Sequence, residues 1–281
     1  MSEQEILYSK IVRELEQGKL VLPTLPEVAF KVREVAKNPD ISTAELAEVI
    51  ATDAALSARL IKVANSPLYR GRVPIESVHM AVGRLGQDMV RNMVTTLVME
   101  QLFKAKSPKL EKRLRELWKH STEVAALSRV IASKQKDILP DEALLAGLIH
   151  DIGVMPILMK AQDHPEMLED RKKLDTLIGN LHGKIGEAIL KKWEFPENLI
   201  AVAAEHENLN RNSGPDGPDL VDVVQAANLQ SYFNTDKALD PSTRHKVLAF
   251  EKLGIDTGIS VAELDESSAE YAEALALFEN M

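Results

Sequence analysis

Ala143-Leu144-Leu145-Ala146-Gly147-Leu148-Ile149-His150-Asp151-Ile152-Gly153-Val154 reads as an apolar helix that ends on an imidazole beside a carboxylate. Polar groups in such surroundings are costly without partners, so the pair must be satisfied by something else in the fold. At helical spacing Ala143, Gly147 and His150/Asp151 share a face, and the small side chains allow a second helix to approach closely. A metal site inside a helical bundle is built in this way, although a hydrogen-bonded core pair is the other reading of a lone His-Asp. Gly153 is expected to free the backbone to turn away.

Composition agrees with an all-helical chain. Of 281 residues, 45% are hydrophobic but only 4% aromatic, a balance that suits helices better than sheets and leaves enough apolar material for a large core. The formal charge of -9 provides no global attraction to a phosphate backbone, so nucleic acid is disfavoured as a partner. Cysteine is absent, so any metal must be held by His, carboxylate or water, a donor set that favours Fe, Mn, Zn, Ni or Mg. The first residues lack the basic and apolar regions of a signal peptide, and no apolar run is expected to reach the span of a membrane. A cytoplasmic protein without a membrane partner is the resulting expectation.

Outward from the opening stretch, apolar residues recur at helical spacing along nearly the whole chain. Ile6, Leu7, Ile11, Val12 and Leu15 mark the first helix, and Pro26 starts another that bears Val28, Val32 and Val35. Ser42-Thr43-Ala44-Glu45 is a capping box, followed by short helices to about Ala51 and from Asp53 to Asn65. That pair also fits a helix-turn-helix with Arg59 and Lys62 on its second member, but no basic stripe continues from it. Ser66 to Pro74 is a loop, and helices follow over about 76–85 and 87–103. Ser107-Pro108 is the clearest boundary, and the chain is divided into an N-terminal helical subdomain, 1–108, a second helical subdomain, 109–235, and a C-terminal helical extension, 236–281. The second part opens with a long helix over 109–135. A charged helix within 165–178 precedes Leu181-His182-Gly183-Lys184-Ile185-Gly186, which leads into Ile189, Leu190 and Trp193. Residues 207–218 form an Asn/Gly/Pro loop, and a second capping box, Ser260 to Glu263, begins the last helix.

His120, His150-Asp151, His182 and His206 fall within or at the end of different helices, a distribution that favours convergence on one site. The order resembles the HD superfamily of metal-dependent phosphohydrolases: a His, then His-Asp, then a distant Asp, with further His ligands in binuclear members. Leu22-Pro23-Thr24-Leu25-Pro26, Ala64-Asn65-Ser66-Pro67-Leu68-Tyr69, Leu117-Trp118-Lys119-His120-Ser121 and His150-Asp151-Ile152-Gly153 narrow the resemblance to the HDOD family, the HD-related output domain of bacterial signalling proteins. It covers roughly residues 20–235 and implies an all-α multi-helix bundle with metal ligands at His120, His150, Asp151, His182, His206 and Asn228.

Two departures bear on activity. The last metal-binding Asp of catalytic relatives has Ala227-Asn228 as its match here, and a neutral amide is a poorer bridge than a carboxylate. Asp222 lies six residues upstream on nearly the opposite helix face and does not replace it. Cyclic-dinucleotide phosphodiesterases of the superfamily also carry Lys after His-Asp-Ile-Gly and a Gly-Tyr-Pro loop. This chain has Val154 and Gly214-Pro215, while His206-Glu207 still resembles their motif. The first reading is therefore a noncatalytic regulatory protein with no catalytic residue and a weakly held or absent divalent metal. Its expected partners are signalling proteins or a small nucleotide ligand. The alternative is a working metal-dependent phosphohydrolase, with phosphodiester or nucleotide substrate, in which Asp151 is central.

Overall fold

The computed structural model describes residues 3–38, 41–105, 107–164, 167, 170–215 and 217–279. Of the described residues 68% are helical, and no strand or sheet occurs among them, as the apolar periodicity and sparse aromatics predict. The first half holds α1 (Glu3–Glu16), α2 (Glu27–Val35), α3 (Thr43–Ala51), α4 (Ala54–Ala64), α5 (Val78–Leu85) and α6 (Gln87–Met99). The middle holds α7 (Pro108–Ser133), α8 (Pro140–Ile149), α9 (Val154–Ala161), α10 (Arg171–Lys192), α11 (Glu197–Glu205) and α12 (Leu220–Ser231). The chain closes with α13 (Pro241–Arg244), α14 (Leu248–Leu253) and α15 (Asp265–Glu279).

Local chemistry sets several of these boundaries. The Ser42 capping box forms: Ser42 Oγ accepts from the Glu45 backbone N–H, and Glu45 Oε2 accepts from that of Ser42 at 2.9 Å. Proline occupies the first turn of α7 and α8, where its missing N–H costs nothing, and α8 begins at Pro140. Among the described residues, the charged stretch 171–178 is continuous with the His182 segment. α10 starts at the Asp170 cap and runs unbroken to Lys192, while residues 165, 166, 168 and 169 lie outside the described ones. The expected capping box at Ser260 is absent, because buried Gln230 takes the local backbone instead. Its Oε1 accepts from Val261 N–H at 3.0 Å and its Nε2 donates to Ile259 C=O at 3.2 Å. A short 3-10 turn, Val261–Glu263, results, and α15 starts only at Asp265.

One continuous apolar core runs from Leu7 to Phe278. α8 lies at its centre, packed on α7, α6, α12 and α11, and its residues Ala143 to Ile149 are all buried. The stretch Pro140–Ala161 is in fact long and apolar enough by composition to cross a membrane, contrary to the expectation from sequence. In the fold it is mostly buried, and the turn at His150–Gly153 splits it into α8 and α9. Arg59 of α4 is turned inward, donating to Leu97 C=O at 3.3 Å and facing Glu100 at 3.7 Å.

Two glycines set the packing around α8. A Cβ on Gly147 would lie 2.8 Å from both Ala125 Cα and Val124 O, so α7 and α8 touch through backbone there. Gly153 has an ordinary helical φ of -68°, so turning freedom is not its role. A Cβ on it would meet His182 O at 1.9 Å and Gly186 N at 2.5 Å: glycine is needed because α10 crosses directly over it.

Candidate metal centre

Four helices and one turn deliver side chains to one pocket. His120 comes from the middle of α7, His150 from the C-cap of α8, Asp151 from the following turn, His182 from α10 and His206 from the C-cap of α11. Asp151 stands between two pairs of imidazoles. Its Oδ2 is 3.4 Å from His150 Nε2 and 3.7 Å from His120 Nε2. Its Oδ1 is 3.4 Å from both His182 Nε2 and His206 Nε2, and those two nitrogens are 3.3 Å apart. Two triads thus share one carboxylate, His120/His150/Asp151 and Asp151/His182/His206, each with donor atoms close enough to hold a metal ion.

Three of the rings are oriented by backbone carbonyls. His150 Nδ1 lies 2.6 Å from Gly147 C=O, His182 Nδ1 2.8 Å from Ile178 C=O, and His206 Nδ1 3.0 Å from Val202 C=O. A carbonyl only accepts, so each Nδ1 carries a proton and the ring turns Nε2 into the pocket. Such an arrangement fixes tautomer and orientation in metal-ligating histidines. His120 is held differently: the Tyr232 ring stacks on it, with centroids 5.0 Å apart, and the Tyr232 hydroxyl sits 3.2 Å from its Nε2.

The electrostatics follow from burial. Desolvation pushes the His150 imidazolium down to about 3 and lowers His120 against the pull of Asp151, so both rings are neutral at pH 7. Burial alone would raise the Asp151 carboxyl, but the imidazoles of His150, His206 and His182 outweigh it and hold the group well below its ordinary range. Burial likewise opposes a charge on His206, yet its hydrogen bond to Asp151 wins and raises it.

Asn228, from α12, lies against His120. Its Oδ1 and His150 Nε2 are both buried without a hydrogen-bond partner of normal geometry. Buried acceptors without donors are rare, and two of them facing a His/Asp cluster fit a cation as the missing partner. Asp222 is excluded from this role, as its place on the helix predicts. It is 1% exposed, closes a capping box with Asp219, and pairs with Arg211 at 3.2 Å and Ser213 at 2.5 Å.

The cluster opens into a solvent-connected cavity of about 600 Å³. Val154 and Leu158 give it an apolar wall, and Lys119, Arg113, Arg171 and Lys237 are spaced around its lining. Three of these cations pair locally: Arg113 with Asp175 at 3.0 Å, Arg171 with Glu116 at 3.4 Å and Lys119 with Glu123 at 3.8 Å. Two further side chains stand at the site: Tyr232, which the sequence did not single out, and Glu207, marked there only as part of the His206-Glu207 motif, whose Oε2 is 3.7 Å from His182 Nε2. Tyr232 follows Asn228 by one helical turn, a spacing that marks it once Asn228 is a candidate. Glu207 adjoins His206 directly.

A helical bundle that gathers four histidines around one shared aspartate is a protein of the HD type. The chain belongs to the HDOD family, whose sequence profile, described as HDOD domain, matches residues 22–209. Asn228 and Tyr232 lie beyond that match. A protein of Shewanella amazonensis SB2B, described as a candidate metal-dependent phosphohydrolase, is similar over 99% of this chain and 100% of its own, with 33% identity and a TM-score of 0.84. An HDOD domain protein of unknown function from Geobacter sulfurreducens is similar over 99% of each chain, with 25% identity and a TM-score of 0.69. An uncharacterized protein of Treponema pallidum is 24% identical over 75% of this chain, which spans only 42% of that relative's length.

Proposed function

We propose that this protein is a noncatalytic, cytoplasmic signal-transduction protein of bacteria. Its pocket holds a divalent metal on His120, His150, Asp151, His182, His206 and Asn228, and its surface engages signalling proteins or a small nucleotide. The observation that carries the noncatalytic part is Asn228. The sixth donor is a neutral amide, so two cations would share the single carboxylate of Asp151. Phosphoryl transfer needs charge stabilisation fixed where negative charge develops, and this donor set supplies less of it than a two-carboxylate pocket. Apolar Val154 adds no cation at the cavity wall.

A bound metal would supply Lewis-acid polarisation of a phosphoryl oxygen. The protein's own contribution is orientation: carbonyl-anchored imidazoles, and an ionised Asp151 between them. That constellation also supports the second reading, a working phosphohydrolase in which Asp151 is indispensable. Thermal unfolding with and without Mn²⁺ or Fe²⁺ tests the metal pocket. Wild type is expected to gain stability with added metal while Asp151→Ala does not. An equal response of the two proteins would remove the pocket from the account.

A further inference from the structure

We infer that the two metal positions are unequal, and that a single ion occupies the His182/His206/Asp151 side before any ion enters the His120/His150/Asn228 side. The inference rests on the proposed metal pocket and goes beyond it by assigning order and stoichiometry.

Three observations carry it. The first is preformed geometry. His182 Nε2, His206 Nε2 and Asp151 Oδ1 form a triangle with edges of 3.3, 3.4 and 3.4 Å. Donors about 2.0–2.1 Å from a tetrahedral ion lie about 3.3–3.4 Å from one another, so these atoms need almost no rearrangement to share an ion. On the other side the corresponding contact of His120 Nε2 to Asp151 Oδ2 is looser, at 3.7 Å.

The second is the hold on the rings. Both His182 and His206 are locked by Nδ1 to helix carbonyls at 2.8 and 3.0 Å. His120 has its Nε2, the atom facing Asp151, already occupied by the Tyr232 hydroxyl at 3.2 Å, and the stacked phenol limits ring rotation. An ion on that side must displace the hydroxyl before it gains the imidazole. The third is charge. Glu207 brings a second carboxylate to His182, whereas Asn228 brings a neutral amide to His120. The Glu207 carboxylate thus adds negative charge beside an ion on the first side, which Asn228 does not do on the second. A second cation, about 4 Å from the first by analogy with two-metal sites, would face its repulsion with a weaker donor set.

The test is a metal count on the 281-residue chain with Mn²⁺ as probe, by elemental analysis after equilibrium dialysis and by calorimetric titration. Circular dichroism and thermal unfolding confirm that each variant is folded. Wild type is expected to retain one ion per chain after dialysis and to bind a second at least tenfold more weakly. His120→Ala should keep the one tight ion. His206→Ala should lose it, and Glu207→Gln should weaken it by about tenfold while leaving the weak position unchanged. Asn228→Asp should raise the retained count toward two, and Tyr232→Phe should strengthen the weak position alone. Loss of the tight ion in His120→Ala but not in His206→Ala would overturn the assignment, as would two ions of equal affinity in wild type. Both outcomes leave the pocket a metal site. No retained ion in any folded form, Asn228→Asp included, would overturn the pocket itself.

Discussion

Replacing Gly153 with alanine puts the closest approach in the fold under direct test. The added Cβ would sit 1.9 Å from His182 O, 2.5 Å from Gly186 N and 2.9 Å from His182 C, all backbone atoms of α10 that no rotamer change can move aside. Restoring ordinary contact requires the turn after α8 and the helix above it to part by about 1.5 Å in an interior packed at crystal density. Overpacking of that size costs about 3 kcal/mol or more, which corresponds to a fall in Tm of about 5 °C or more for a chain of this length. The displaced carbonyl belongs to His182 itself, so its Nε2 leaves the triangle with His206 and Asp151, and Mn²⁺ binding should weaken by about tenfold or more. Gly179→Ala is the matched control. It lies on the same helix with nothing within 4 Å of its Cβ, and should gain about 0.5–1 kcal/mol from the loss of unfolded-state freedom. Urea unfolding and calorimetry on the two variants measure both effects. Gly153→Ala with wild-type stability and wild-type Mn²⁺ affinity would refute the packing argument.

Three further outcomes follow from the structure. Ser42→Ala removes the acceptor for Glu45 N–H and half of the capping box, and should lower stability by about 1 kcal/mol in urea unfolding; an unchanged midpoint would show that the box contributes nothing. Arg129, 8% exposed, binds Glu270 of α15 and faces Asp141 at 3.7 Å, where Asp141 also accepts from Tyr69. Arg129→Ala should destabilise the fold by about 3 kcal/mol and loosen α15, visible as faster amide exchange over 265–279. His206 is raised by Asp151, so it keeps its proton at pH values where a free imidazole has begun to lose it, and a metal must displace that proton. Metal affinity should therefore fall as pH drops from about 8 to about 6, whereas His150, held down near 3, does not compete in that range. The sign reverses for the metal-free fold: the Asp151–His206 pair stabilises it fully below the unfolded histidine pKa, and this contribution fades as pH rises through the raised value. Calorimetry in two buffers of different ionisation heat measures the released proton, and a pH-independent affinity would contradict the protonated pair.

Much of this was legible in the sequence because it depends on local spacing. The helical period of Val90, Val94, Leu97 and Val98 marks α6, whose second half is buried all round, and Ser42 with Glu45 caps α3 where expected. The order of His120, His150-Asp151, His182 and His206 was enough to anticipate a shared pocket, since each sits on a helix end or stripe that must face the core. What escaped depends on long-range contact. Tyr232 reaches His120 across 112 positions of sequence, and Ser260 lost its cap to Gln230, a buried amide that a local pattern does not reveal. The capping box that does form late in the chain, Asp219 with Asp222, has Asp where the usual signature has Glu or Gln. Gly153 was read as a turn-former because its neighbours suggested a helix end. Only the crossing of α10 shows that it is there for its missing side chain.

The central claim, a metal pocket without turnover, is tested most directly by hydrolysis of phosphodiester and nucleotide substrates by wild type, Asp151→Ala and Asn228→Asp, each loaded with Mn²⁺ or Fe²⁺. Wild type is predicted to show no rate above the Asp151→Ala background, and Asn228→Asp is the form in which any activity should emerge. Robust metal-dependent hydrolysis by wild type, abolished in Asp151→Ala, would contradict the claim and make the protein an enzyme.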